Sequence, residues 1–367
     1  MMNASVVRLA GLLAVLITLF AVSAPAEEAA PDPAMEILYT ANTLYNRGLP
    51  GPARAQFELF LRRHRNHERA RDARMGRALC WVAEGEGERA VDELRALARD
   101  RNFERHGEMR AVLATLLLQL EKPGEALNEA RGLATDTSDE ALKDRARTTW
   151  SEAAFLLEDW RQVVTAAQPP LNDRMRYQLG FALFQDKGPE DAEAVAALTP
   201  VAEGDTPYTH NAAMLLGRIH QARTEMDRAA AAYRRAAYDV SGPQSADAGW
   251  AAALIAWQGD DDAAAATALE AFQENFPEHP RQPRAALLLG RAREQLDRTE
   301  PARAAFATAM ESEETRYEAA VRRLRLLATD AERAPVLTAA LAWPADEEWT
   351  PILLLDQARI DQERERP

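Results

Sequence analysis

Cysteine is almost absent from these 367 residues. Cys80 is the only one, so no disulfide within the chain can staple the fold. Lysine is nearly as rare: Lys122, Lys143 and Lys187 are the only three among 44 basic residues. Acids number 58 and the formal net charge is −14. That balance excludes a general nucleic-acid binder, which needs a basic face to neutralise phosphates. Aromatic residues are sparse at 7%. β-Branched runs are missing, and the good helix formers Ala, Leu, Arg and Glu dominate, so no strand is expected. Apolar residues are plentiful at 47%, enough for a large core and too many for a disordered polymer.

Long hydrophobic runs are missing as well, with one exception. Leu9 to Val22 is an apolar run preceded by Arg8, short for a helical bilayer span and ending in the small residues AVSAPA. Ala24 and Ala26 occupy the two small-residue positions of a cleavage site, which places the cut after Ala26. The other reading is an uncleaved N-terminal anchor. No cysteine stands at the cut, which argues against a lipid-anchored product. The expectation is a signal peptide over 1–26, a flexible lead-in over 27–33, and an exported chain with no transmembrane segment once the signal is removed. In a diderm bacterium that chain would be periplasmic.

Few residues suggest chemistry. Gly85 to Ala90 (GEGERA) fits a dinucleotide fingerprint only if a strand precedes it, and the preceding residues have helical spacing, so it reads as a turn. His64 and His67 lie three apart beside Glu68, but they have no third ligand at suitable spacing and sit in the cationic run RRHRNHERARDAR. That run reads as a solvated surface with the capacity to dock an acidic partner or anionic lipid. Cys80 reads as a buried thiol, the alternative being an intermolecular bridge. Asp260, Asp261 and Asp262 lack the alternation of a calcium loop and read as the acidic first turn of a helix. No nucleophile elbow, Cys/His pair or P-loop is present, so no catalytic residue, cofactor or metal is expected.

The rest of the chain repeats. A small residue recurs at Ala41, Ala78, Ala114, Ser151, Gly180, Gly217, Ala252 and Gly290, with spacings of 37, 36, 37, 29, 37, 35 and 38. Twelve residues after each comes a second series, Ala53, Ala90, Ala126, Val163, Ala192, Ala229, Ala264 and Ala302. Ser151 is the misfit of the first series and Val163 of the second. Larger residues such as Phe57, Leu94, Tyr233 and Phe306 follow four residues later, and turn residues such as Gly48-Leu49-Pro50 and Lys122-Pro123-Gly124 lie between. A helix pair cannot bury both apolar faces alone. Small residues let its two helices approach, and larger ones wedge between successive pairs.

Leu216-Gly217 with Ala229 and Tyr233, and Leu289-Gly290 with Ala302 and Phe306, resemble the signature of the tetratricopeptide repeat family, as does Leu179-Gly180 with Ala192. Asn275-Phe276-Pro277 resembles its closing proline. The third and fourth repeats match poorly, and another all-helical solenoid is the competing assignment. The resemblance implies an all-α, right-handed superhelical solenoid of about eight helix pairs over 34–312, with a helical cap and tail over 313–367. Pro335, Pro344 and Pro351 punctuate that tail, and Trp343 and Trp349 are placed to fold back onto the cap.

The resemblance further implies that first helices line a groove for a protein or peptide partner. Carried onto this chain, the partner-binding positions are Asn42, Tyr45, Asn46, Gln119, Phe155, Tyr177, Phe181, Phe184, Arg218, Trp257 and Arg291, among a wider inward-facing set including Leu38, Met75 and Glu294. Tyr177, Phe181 and Phe184 form one helical stripe, either packed on a neighbouring helix or open as a binding hot spot. Terminal-carboxylate capture is doubtful, because Leu38 stands where the family's cation is expected. Compartment and fold together resemble the repeat proteins of Tol-Pal, TonB-type or outer-membrane-assembly machines. That points to a non-enzymatic scaffold in the cell envelope, with glycan recognition through Trp257 and the Tyr177 stripe as the alternative and an enzyme as the remote one.

Overall fold

The computed structural model describes residues 32–242, 244–259 and 261–364. The apolar run and its cleavage site lie outside the described residues. Nineteen helices and no strand are found among the described residues. The chain divides into two compact units at Asp186/Lys187.

The first unit contains α1 (Pro33–Asn46), α2 (Pro50–Arg63), α3 (Ala70–Ala83), α4 (Gly87–Arg99), α5 (His106–Gln119), α6 (Pro123–Asp136), α7 (Glu140–Leu156), α8 (Trp160–Ala166) and α9 (Asp173–Lys187), which ends at the boundary. From α1 to α8 each helix packs on the next, so the unit is a stack of hairpins. Its helix starts follow from local chemistry. Asp32 and Asp139 accept from the free N–H groups of the first turns of α1 and α7, and proline opens α1, α2 and α6, where a missing N–H costs nothing. One apolar cluster runs from Ala34 to Ala182, with Phe57, Phe60, Leu94, Leu113 and Leu117 fully buried in it. Each such side chain contributes about 2–3 kcal/mol of transfer free energy. Gly76 explains how closely α3 approaches α2, because a Cβ there would fall 2.2 Å from the Phe57 ring.

The second unit contains α10 (Ala192–Glu203), α11 (Thr209–Ala222), α12 (Met226–Ala236), α13 (Ser245–Gln258), α14 (Asp262–Asn275), α15 (Gln282–Gln295), α16 (Thr299–Ala309), α17 (Arg316–Leu326), α18 (Asp330–Leu341) and α19 (Thr350–Arg364). Each helix again packs on its successor. Gly217 lies beneath Tyr233 and Gly290 beneath Phe306, where a Cβ would sit 2.6 and 2.5 Å from the rings. This is the close approach that the small-residue series implies. The last three helices close over their own cluster of Leu324, Leu337, Leu353 and Ile360, with Trp343 and Trp349 packed against it.

Both units repeat one junction. His67 stands edge-on to Phe60 at 5.5 Å and accepts at Nδ1 from the Arg69 N–H. His279 does the same to Phe272 at 5.4 Å, accepting from Arg281.

Three details differ from the sequence expectation. Ala192 and Ala264 are exposed, and the fully buried small residues are Ala194 and Ala265. The turn before α10 has four residues instead of three, so that helix starts later, capped by Asp191. The turn before α14 has the usual three and is capped by Asp261, and there the fully buried first-helix residue is Ala253, one beyond Ala252, twelve residues before Ala265. Pro335 does not punctuate. It lies inside α18 on an exposed position, leaving one carbonyl of the first turn to water.

Candidate functional site

In the first unit the first helices of four successive hairpins, α1, α3, α5 and α7, line a groove of about 930 Å³. Leu38 and Asn42 come from α1, Asp72 and Met75 from α3, Glu108 and Arg110 from α5, and Ala141, Leu142 and Arg145 from α7. Leu133 and residues 136–139 close one end. Leu38, Met75 and Leu133 are buried and form an apolar floor. The rim is charged and largely neutralised within itself. Arg69 pairs with Asp72 at 3.3 Å, Arg105 with Glu108 at 2.5 Å, and Arg110 with Asp136 at 2.9 Å. Arg145 is exposed and has no ion-pair partner among the described residues, so a guanidinium fork faces the groove uncommitted.

Of the eight sequence-predicted site residues in this unit, Asn42 lines the groove. Tyr45 is half-buried on α1, and its burial raises the phenol pKa, with Cys80 adding to the rise. Asn46 and Gln119 are exposed. Phe155, Tyr177 and Phe181 belong to a separate aromatic cluster with Trp160. Phe155 stands 5.2 Å from Phe181 and 6.3 Å from Tyr177, and Trp160 stands 5.5 Å from Phe181. Tyr177 is 6% exposed, so it packs inward, whereas Phe155, Phe181 and Phe184 are half-buried. Leu156, at 51% exposure, and Leu157 extend this patch to solvent.

The sequence reading missed Asp72, Glu108 and Arg145 as groove walls. A signal for them exists: each lies six residues before its repeat's small residue, Ala78, Ala114 or Ser151.

In the second unit, the corresponding first helices carry a ladder of partnered side chains. The Arg291 guanidinium lies over the Trp257 ring at 4.9 Å and 3.7 Å from Glu318. Glu318 also takes Arg322 at 2.7 Å, and Arg322 reaches Glu294 at 2.9 Å. Trp257, Arg291 and Glu294 are therefore brought together, on α13 and α15, and tied to α17. Arg218 is exposed on α11.

The remaining candidates fall into structural roles. GEGERA is the end of the turn between α3 and α4 together with the first turn of α4, with Gly85 at φ +79°. Asp261 caps α14 by accepting from Ala263 and Ala264. His64, tilted, and His67, edge-on, both pack against Phe60, and His67 meets Asp32 at 3.1 Å. Cys80 is fully buried, and desolvation, with Glu84 next in weight, pushes its thiol up to about 12. It is therefore an unreactive thiol rather than a poised nucleophile. Among the described residues no group of three or more His, Cys, Asp or Glu could hold a metal ion, and no helix is long and apolar enough to cross a membrane.

The helix order and hairpin packing define an all-α helical-hairpin repeat protein. No family model matches the chain, and no curated protein matches it. Solved structures do resemble it. The tetratricopeptide repeat domain of P58(IPK) aligns at 14% identity and a TM-score of 0.29, over 92% of this chain and all of that one. A tetratricopeptide repeat protein from Parabacteroides merdae aligns at 12% and 0.35, over 80% of this chain and 98% of its own. The C-terminal part of a repeat protein from Cytophaga hutchinsonii aligns at 11% and 0.42, over 80% and 100%.

Proposed function

We propose that this chain is an exported, non-enzymatic scaffold of the tetratricopeptide type that holds a peptide segment of a cell-envelope protein in the groove of its first unit. The observation that carries this reading is the groove itself, walled by four successive first helices, with an apolar floor and a charged rim. Four helices at about 9–10 Å spacing give a trough roughly 30 Å long, room for about nine extended residues. Leu38, Met75 and Leu142 would take apolar side chains of such a segment, and Arg145 would take a carboxylate or main-chain carbonyl. The charge pairs along the rim favour an alternation of polar contacts over a single charged ligand. Export rests on the Leu9–Val22 run and the small residues at Ala24 and Ala26. An inert thiol at Cys80 suits an oxidising compartment.

Peptide is favoured over glycan because no Trp, Tyr or Phe lines the groove. Tyr177 is buried, and Arg291 already occupies one face of the Trp257 ring, which reduces what either offers to a stacking sugar.

A crosslinking pull-down from native envelopes tests the proposal, with wild type beside Asn42→Arg/Arg145→Glu. A protein captured by wild type and lost by the folded double variant is expected. Equal capture by both would move the site off this groove.

A further inference from the structure

The arginines of the cationic run noted in the sequence, with Arg77 just beyond it, fall into two classes, and Arg74 is exposed on α3 without an ion-pair partner among the described residues. Arg69, Arg71 and Arg77 are neutralised, by Asp72, Asp100 and Glu93 respectively. Arg62, Arg63 and Arg65 at the α2–α3 junction are exposed and have no ion-pair partner among the described residues. The same holds for Arg99 and Arg101 at the α4–α5 junction. Arg71 and Asp100 meet at 2.6 Å and staple the two junctions side by side, so the five free guanidinium groups share one edge of the first unit. Over residues 62–71 and 99–105 eight arginines face three carboxylates, Glu68, Asp100 and Glu104, in a chain whose net charge is −14. The next junction carries Asp136, Asp139 and Glu140 and no cation, so the positive edge is confined to the first two.

We propose that this edge docks on the anionic headgroups of a phospholipid bilayer. The five arginines lie outside the groove lining, Arg62, Arg63 and Arg99 in the last turns of α2 and α4 and Arg65 and Arg101 in the loops that follow them. A flat charged surface needs only protruding cations, whereas an acidic peptide gains most from a cleft that surrounds it. Position supports the same occupant. His67 meets Asp32 at 3.1 Å, which holds the start of α1 against the first junction. The apolar run ending at Val22 is ten residues upstream of Asp32, at most about 35 Å of extended chain. While that run is attached, a bilayer holding it is within reach of this edge. Each arginine near an anionic surface strengthens partitioning roughly fivefold, and salt screens the effect over about 10 Å at 0.1 M.

The test is cosedimentation of the full chain with phosphatidylglycerol-containing vesicles and with pure phosphatidylcholine vesicles, at low and moderate salt. The variant is Arg62→Gln/Arg63→Gln/Arg65→Gln/Arg99→Gln/Arg101→Gln, with folding checked by circular dichroism. All five positions are exposed, so the helices should survive. Expected are salt-sensitive binding to the anionic vesicles only and a loss of about 100-fold or more in the variant. Absence of binding by wild type would overturn the proposal. So would equal binding by the variant, equal binding to phosphatidylcholine (which would assign the contact to the apolar run), or binding to a poly-glutamate peptide without binding to vesicles.

Discussion

The two units are built from the same hairpins, yet they treat the surface of their first helices in opposite ways. In the first unit that surface is a groove whose floor is apolar and whose Arg145 is uncommitted. In the second, Trp257, Arg291, Glu318, Arg322 and Glu294 are spent on one another. Their cores differ too. In the first unit a large cluster runs from Ala34 to Ala182 beside a small one of Ala111, Leu133 and Ala146, whereas the second unit divides its core among clusters around Phe272, Phe306 and Leu337. A repeat array can thus keep its stacking rule while leaving the first-helix surface open in one stretch and tying it up in another.

The largest effects should come from the buried rings. Phe57 and Phe306 are both fully buried, and truncating either to alanine should cost about 3–5 kcal/mol. Hydrogen exchange would locate the loss. Phe57→Ala should weaken protection across the continuous cluster of α1 to α9, and Phe306→Ala mainly in α15 to α17. A Phe306→Ala loss as broad as that of Phe57→Ala would break the comparison of cores.

Next come the two surfaces. Arg145→Glu in the first unit should weaken partner capture tenfold or more while moving stability by no more than about 0.5 kcal/mol, because an exposed, unpaired side chain holds nothing in the fold. Glu318→Gln in the second should do the reverse. It weakens the links to Arg291 and Arg322 and should cost roughly 1 kcal/mol in denaturant unfolding with capture unchanged. If the two substitutions behaved alike, the division of labour between the units would be lost.

Much of this was legible in the sequence, because close helix approach leaves a trace in residue size. Ala41, Ala78, Ala114, Gly217 and Gly290 are all buried where the series places them. Ser151, a misfit by type, is buried because its hydroxyl has the Gln178 side chain as partner at 2.7 Å. The boundary at Asp186/Lys187 was less legible. Its trace is the short spacing of 29 residues between Ser151 and Gly180, which the structure explains by a seven-residue α8. The groove was read only in part. Beyond Leu38, Asn42 and Met75, the sequence reading followed the ends of the first helices, where Tyr45, Gln119 and Phe155 lie, whereas on α3, α5 and α7 the walls stand in the first half of each helix. Which end of a first helix faces open space depends on how successive pairs stack, and no single repeat encodes that.

The smallest effect sharpens the comparison at the turns. Gly48 and Gly85 close the first two hairpins of the first unit with φ of +75° and +79°, a conformation that costs glycine nothing, while Glu121 and Glu158 take the same position in the next two at +58° and +57°. The equivalent turns of the second unit place Thr224 at +60° and Asp297 at +55°. A β-branched residue suffers most there, since its Cβ substituents crowd the following carbonyl. Thr224→Gly should therefore raise stability by about 0.5–1 kcal/mol, with relief of left-handed strain exceeding the added freedom of the unfolded chain. Asp297→Gly should gain less, because a short polar side chain tolerates this region better. The matching exchange in the first unit, Gly85→Thr, should lose about what Thr224→Gly gains. Thermal unfolding of the three variants measures the set. A Thr224→Gly variant that melts lower than wild type would mean that the Thr224 hydroxyl, which donates to the Arg223 carbonyl at 2.6 Å, holds the turn more firmly than the backbone strain opposes it.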